Sequence, residues 1–285
     1  MKPLYLLTAA MLGLAALATA PQPAAAKEWK TVTIALEGAY EPWNLTKPDG
    51  TIDGFEPDLA KVLCKHAGLE CKLIAQDWDG MIAALNAGKF DAIMDALSIT
   101  PERQKVIAFS VPYANTPASF VALKDGALAK LPGSGTSLRL TGDLAKAKDN
   151  PVVQELRKAL AGKTIGIQAS TVYADFIYGA FKDVATIREY KTAAEHDLDV
   201  VAGRLDVAFD DSTYFTSAFA KPDNANLGFS GPQIGGTIWG EGEAIGLRQS
   251  DPELKAKFDA AIKAALADGT VKKLSEKWFK MDVSP

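Results

Sequence analysis

The sequence predicts an α/β protein made of two units of similar plan with a cleft between them. Three observations carry that expectation. Strand-like and helix-like segments alternate in the first third of the chain, the alternation restarts after a looser stretch, and helical segments are left over at the C-terminus. A chain of 285 residues that is 48% hydrophobic has enough apolar material for two such cores.

The first unit opens with Thr31 to Leu36, where polar and apolar residues alternate as in a strand. Pro57 to His66 place Leu59, Val62 and Leu63 on one helical face, with Pro57 at the tolerant first turn. Leu73 to Gln76 follow as a strand. Met81, Ile82 and Leu85 line a helix stopped by Gly88, and Phe90 to Met94 form the next strand. Thr100-Pro101-Glu102 starts another helix, a capping hydroxyl followed by proline.

The second unit repeats the scheme. Lys163 to Gln168 form a strand, and Ser170 and Thr171 cap a helix running through Phe181. Ala193 to Ala202 form a helix closed by Gly203, followed by a strand from Leu205 to Phe209. Lys124 to Lys148, with Pro132, Gly133 and Gly135, is expected as a surface insertion. Ser250 and Pro252 open a helix carrying Leu254, Phe258, Ile262 and Leu266, and Thr270 restarts it through Leu274 and Trp278. Ligands favour such domain boundaries and the C-terminal ends of strands.

Residues 1–26 have the layout of an export signal: Lys2, an apolar stretch from Leu4 to Ala20, then small residues offering cleavage after Ala20 or Ala26. A retained N-terminal anchor is the alternative. With 31 Lys and Arg against 35 Asp and Glu, and no basic run, the chain lacks the surface a nucleic-acid binder needs. Cys64 and Cys71 flank Gly68, where a helix can hand over to a strand, and outside the cytoplasm they are expected to pair as a disulfide rather than remain free thiols.

Several segments carry a family likeness. Gly54-Phe55-Glu56-Pro57-Asp58-Leu59, then Asp91-Ala92-Ile93-Met94 and Leu97-Ser98-Ile99-Thr100-Pro101-Glu102-Arg103, resemble the polar amino-acid branch of the extracellular solute-binding proteins, as do Asp268-Gly269-Thr270 and Lys277-Trp278-Phe279. Pro57 departs from that pattern, which has an aliphatic residue there. Glu37-Gly38-Ala39-Tyr40-Glu41-Pro42-Trp43-Asn44 and the Lys124–Lys148 insertion resemble the subgroup that binds lysine, arginine and ornithine or octopine and nopaline. The resemblance implies the type II periplasmic binding protein fold, two α/β lobes joined by two crossover strands. Lobe 1 would comprise residues 27–115 and 232–285, and lobe 2 residues 116–231. It also implies a periplasmic monomer, without cofactor or metal, that closes on an amino acid or opine and delivers it to the membrane permease of an ABC importer.

The same resemblance implies a ligand set. Arg103 would hold a carboxylate through its planar fork, assisted by Ser98 from lobe 1 and Thr171 from lobe 2, with Ala96, Leu97 and Ser170 also in the ligand-binding set. Asp211 would receive the ligand's α-ammonium; neighbouring Asp210 could instead start a helix. Tyr40 and Trp78 would sandwich the ligand side chain. Glu37 and Asp95 would set specificity at the far end, Asp95 departing from the small residue often found there in related binders; both favour a cationic tip, because ionised buried carboxylates next to a neutral ligand are costly.

An enzyme of the same fold, such as a cyclohexadienyl dehydratase, is the rival reading; two carboxylates in a closed cleft could in principle do acid–base work. No G-x-S-x-G, H-E-x-x-H or C-x-x-C motif is present, and neither His66 nor His196 has a partner in view from sequence. A sensory module presenting ligand to a separate receptor is the third reading.

Overall fold

The computed structural model describes residues 27–285, so the expected export signal lies outside the described residues. Two parallel-rich sheets organise it. The first has the order β5-β1-β6-β14-β7, built from β1 (Thr31–Leu36), β5 (Glu70–Ala75), β6 (Ala92–Ile93), β7 (Ala108–Phe109) and β14 (Gly246–Leu247). Its strands β5, β1 and β6 run parallel, and β14 closes on β6 antiparallel. Helices α1 (Phe55–Ala67), α2 (Met81–Asn86) and α3 (Pro101–Gln104) belong to this unit, and the C-terminal α8 (Pro252–Ala267) and α9 (Thr270–Phe279) pack on α1.

The second sheet has the order β11-β10-β12-β8-β13-β9. Its strands are β8 (Ala118–Leu123), β9 (Ser137–Arg139), β10 (Thr164–Gln168), β11 (Thr186–Tyr190), β12 (Val207–Asp211) and β13 (Leu227–Gly235). Helices α4 (Pro151–Ala159), α5 (Val172–Phe181), α6 (Ala193–Val201) and α7 (Ser212–Ala218) accompany it. β10, β11 and β12 are parallel neighbours, repeating the arrangement of β1, β5 and β6. A small antiparallel ribbon of β2 (Ala39–Tyr40), β3 (Asn44–Thr46) and β4 (Ile52–Asp53) extends from the end of β1.

The chain passes between the sheets twice, through residues 110–117 and 236–245. Where the passages meet, Glu243 bridges antiparallel to both Ala114 and Ser98. Strand β13 continues to Gly235, so the second sheet keeps the chain slightly beyond residue 231.

Most elements arise where the periodicity puts them. Thr100 caps α3 by accepting from the Arg103 N–H, and Thr171 caps α5 by accepting from the Ala174 N–H. Gly68 ends α1 in the left-handed conformation, and this reversal brings Cys64 and Cys71 to a Cα separation of 6.1 Å, where they form the expected disulfide. The insertion is less loose than expected: Ser137–Arg139 pairs parallel with β13 at the sheet edge, and the Leu144–Asp149 3₁₀ segment leads into α4. Among the described residues no helix is long and apolar enough to cross a membrane, and no cluster of three or more His, Cys, Asp or Glu is arranged to hold a metal ion.

Candidate functional site

Parallel strands deliver side chains from their C-terminal ends, and both sheets point those ends at the same cleft. Glu37 follows β1, Asp95 follows β6 and Trp78 follows β5, and these strands are hydrogen-bonded neighbours. From the opposite sheet, Gln168 ends β10 and Thr171 opens α5. Together they enclose about 390 Å³ lined by Glu37, Tyr40, Trp78, Asp95, Ala96, Ser98, Arg103, Gln168, Thr171, Val172 and Tyr173. That volume includes space open to solvent at the cleft mouth.

Arg103 sits at one end. Its guanidinium donates to the Ser98 carbonyl at 3.1 Å and across the cleft to the Ser170 carbonyl at 3.4 Å, and it lies 5.4 Å from the centroid of the Trp78 ring. None of these partners is anionic. Burial lowers its pKa to about 10, partly offset by Asp175 and Tyr173, so the group stays charged at neutral pH.

The opposite end is acidic. Asp95 is buried; its Oδ1 accepts from Asn44 Nδ2 at 2.7 Å, while its Oδ2 has no hydrogen-bond partner among the described residues. Asn44 donates equally to Glu56, which also accepts from the Ala96 N–H and the Tyr113 hydroxyl. Burial, then Glu56 and Glu37, pushes the Asp95 carboxyl well above its ordinary range. Glu37 accepts from Gln168 Nε2 at 2.9 Å across the cleft. Burial raises its pKa to about 7; Gln168 and Lys191 pull it down, Asp210 and Asp77 push it up.

Backbone strain gathers at this site. Ala96 and Ser170 have φ of 44° and 62°, left-handed conformations unusual for residues with a Cβ. At Ala96 this turn presents the N–H to Glu56, and at Ser170 the carbonyl faces Arg103.

The cleft is closed by bonds between the two units. Trp78 Nε1 donates to the Ala169 carbonyl at 3.2 Å, Lys191 pairs with Asp77 at 2.8 Å, and Trp43 Nε1 donates to Thr213 Oγ1 at 3.0 Å.

Eight of the eleven residues expected at the site therefore share one cavity wall. Leu97 is instead fully buried in the core under the site, and it and Ser170 line an adjoining space of about 450 Å³ that shares Trp78 and Arg103 with the first. Asp211 stands one residue behind the wall. Its Oδ1 caps α7 through the Thr213 and Tyr214 N–H groups, and its Oδ2 accepts from Thr116 and from the Tyr173 hydroxyl. Tyr173, on the cavity wall, is thus its link to the cleft. Sequence reasoning missed Gln168, Val172 and Tyr173. The signal was there, because Gln168 ends a strand as Glu37 follows one, and the other two continue the helix turn that Thr171 caps.

The sequence pattern of the bacterial extracellular solute-binding proteins, family 3, matches residues 32–281. The chain belongs to this family. Over 291 residues it is 43% identical to the octopine-binding periplasmic protein of Rhizobium meliloti, covering 95% of this chain and 97% of that one. It is 36% identical over 276 residues to the L-arginine-binding protein of Pseudomonas aeruginosa, covering 96% and 97%. Among solved structures, a periplasmic His/Glu/Gln/Arg/opine family-binding protein from Silicibacter pomeroyi in complex with lysine is similar at TM-score 0.68 and 34% identity, covering 89% of this chain and 99% of that one. An ancestral arginine-binding protein bound to arginine gives 0.72 at 26% identity, covering 87% and 98%. The solute-binding protein has the family's two-lobed α/β fold.

Proposed function

We propose that this solute-binding protein is the periplasmic receptor of an ABC importer, capturing a cationic amino acid between its lobes and presenting the closed form to the membrane permease. The lobes in this reading are the two sheet-centred units, hinged where the chain crosses at residues 110–117 and 236–245. The observation that carries the ligand class is an arginine and two acids at opposite ends of one cavity: Arg103 donating only to carbonyls among the described residues, Asp95 and Glu37 accepting from the amides of Asn44 and Gln168. An α-carboxylate would take the guanidinium fork, and a guanidinium or ammonium tip would satisfy the acids. Trp78 and Tyr40 would cover the methylene chain between. The names of the relatives support this reading over the dehydratase alternative.

An opine is the second reading, favoured by the adjoining space beyond Trp78, Arg103 and Ser170, which could take a second carboxylate arm. Asp211, linked to the cavity through the Tyr173 hydroxyl, would receive the α-ammonium of an ordinary amino acid. Calorimetry with L-arginine, L-lysine, L-ornithine, octopine and L-glutamine tests both. Tight binding of the first three supports the cationic amino acid, and binding of octopine alone supports the opine. Failure of all cationic ligands beside tight L-glutamine binding overturns the proposal, as does conversion of a bound compound to product.

A further inference from the structure

His196 has no role in the site described so far, yet it is fully buried between two carboxylates. Its Nδ1 lies 3.1 Å from Asp197 Oδ1 and its Nε2 lies 3.2 Å from Asp210 Oδ2. A ring with an acceptor at each nitrogen needs a proton on both, so the geometry calls for an imidazolium. The surroundings agree. Burial alone would lower its pKa, but the two carboxylates outweigh that and raise it to about 9. The other groups against the ring are Tyr190 from β11 and Tyr214 and Phe215 from α7.

The far side of this cluster is the cleft. Asp210 Oδ1 accepts from the Tyr40 hydroxyl, and Tyr40 belongs to the β2 ribbon of the other unit and lines the cavity. The Tyr40 ring stacks on Tyr214 at 5.0 Å and 4° between planes. Tyr214 in turn donates to Asp197 Oδ2 at 2.7 Å, which fixes the second carboxylate of the pair. A chain of bonds therefore runs from the buried face of α6 in one unit to an aromatic wall supplied by the other. Without a cation at its back, Asp210 would be an uncompensated buried charge beside Glu37 and Asp211.

We propose that His196 is a positioning residue for cleft closure, holding Asp210 as the acceptor for the Tyr40 hydroxyl and so latching the two units together over the ligand. This rests on the receptor reading only in that closure traps a ligand. Breaking the latch leaves the cavity residues intact and destabilises the closed form relative to the open one.

Two substitutions separate latching from packing. In His196→Asn the amide takes the place of Nδ1 and cannot reach Asp210; in His196→Gln it takes the place of Nε2 and can. With L-arginine as probe, His196→Asn should weaken binding by about tenfold, and His196→Gln should recover much of that loss. Tyr40→Phe keeps the ring and removes the cross-cleft bond. It should weaken binding by a similar factor, and the Tyr40→Phe/His196→Asn pair should be no worse than the weaker single variant. Equal losses in the Asn and Gln variants, or losses that multiply in the double variant, overturn the proposal. So does native affinity in His196→Asn. Imidazole nitrogen resonances give a check independent of any ligand, with one other histidine to assign. A doubly protonated His196 ring at pH 7.5 supports the latch and a neutral one refutes it. If wild type ignores L-arginine, the ligand reading fails, while this spectrum still decides the charge state the latch requires.

Discussion

At one end of the cavity a guanidinium donates to the carbonyls of Ser98 and Ser170; at the other, Asp95 accepts from the Asn44 amide, Glu37 accepts from the Gln168 amide, and the two acids crowd one another. The two ends respond differently to the same burial. Arg103 keeps its charge, because a pKa of about 10 still lies far above neutral. The acids are driven toward the protonated form, Glu37 to about 7 and Asp95 well above its usual value. The basic end is thus a fixed charge awaiting an anion. The acidic end is adjustable, its charge developing as a cation arrives. Fixed recognition suits the carboxylate that every amino acid carries, and adjustable recognition suits the side chain that differs among them.

Removing the fixed end should have the largest effect. Arg103→Ala eliminates two parallel charge-assisted bonds to a carboxylate, each worth about 1.5–3 kcal/mol. Calorimetry should show a loss of at least about a hundredfold for every ligand. Near-native affinity would mean that the carboxylate is held elsewhere. At the acidic end the effect should be selective. Asp95→Asn preserves shape and should weaken L-arginine by about tenfold while leaving L-glutamine unchanged or improved. An equal loss for both would remove the distinction between the ends.

The sequence exposed the two ends unequally. Arg103 was legible because Thr100-Pro101 announces a helix start and the surrounding residues resemble a family segment. Glu37 and Asp95 were legible as residues beyond strand ends, though not their mutual burial, which depends on β1 and β6 being neighbours. Gln168 was passed over although it ends β10, because an amide carries no charge to draw notice. Asp211 was legible as a residue at its strand end, but its capping of α7 through two N–H groups was not, since that depends on the helix that follows. His196 looked solitary because its second partner, Asp210, comes from a different element and becomes adjacent only when α6 packs on β12. The short strands β2, β3, β6, β7 and β14 were invisible or overextended in the sequence, since two or three residues carry too little periodicity to register. The long β8 and β13 were passed over entirely.

The adjustable end should also make affinity depend on pH. A cation favours ionised Glu37, whose pKa is about 7 in the ligand-free protein. Affinity for L-arginine should therefore rise severalfold between pH 6 and pH 8 and level off above, while that for L-glutamine stays flat. Identical profiles for the two ligands would contradict the assignment.

Ligand-free stability should run the opposite way. Glu37 in the folded protein holds its proton above the ordinary value of 4.5, so its contribution to stability declines as pH rises through about 7. His196, raised from 6.5 to about 9, contributes stability fully below pH 6.5 and loses it as pH climbs through 9. The ligand-free Tm should fall from pH 5 to pH 9, and a Tm that rises across that window would contradict both assignments. The smallest effect is expected at the middle of the cavity. Trp78→Leu keeps apolar cover but loses the aromatic face beside Arg103, and should cost about threefold in affinity.

Isothermal titration of the wild-type protein with L-arginine and L-citrulline at pH 8 tests the central claim most directly. The two ligands share a carboxylate, an α-amino group and a side-chain length, and differ in the charge at the tip. The account predicts that L-arginine binds at least about thirtyfold more tightly, because only it neutralises Asp95 and Glu37. Equal affinities, or a preference for L-citrulline, would show that the acidic end does not select a cation.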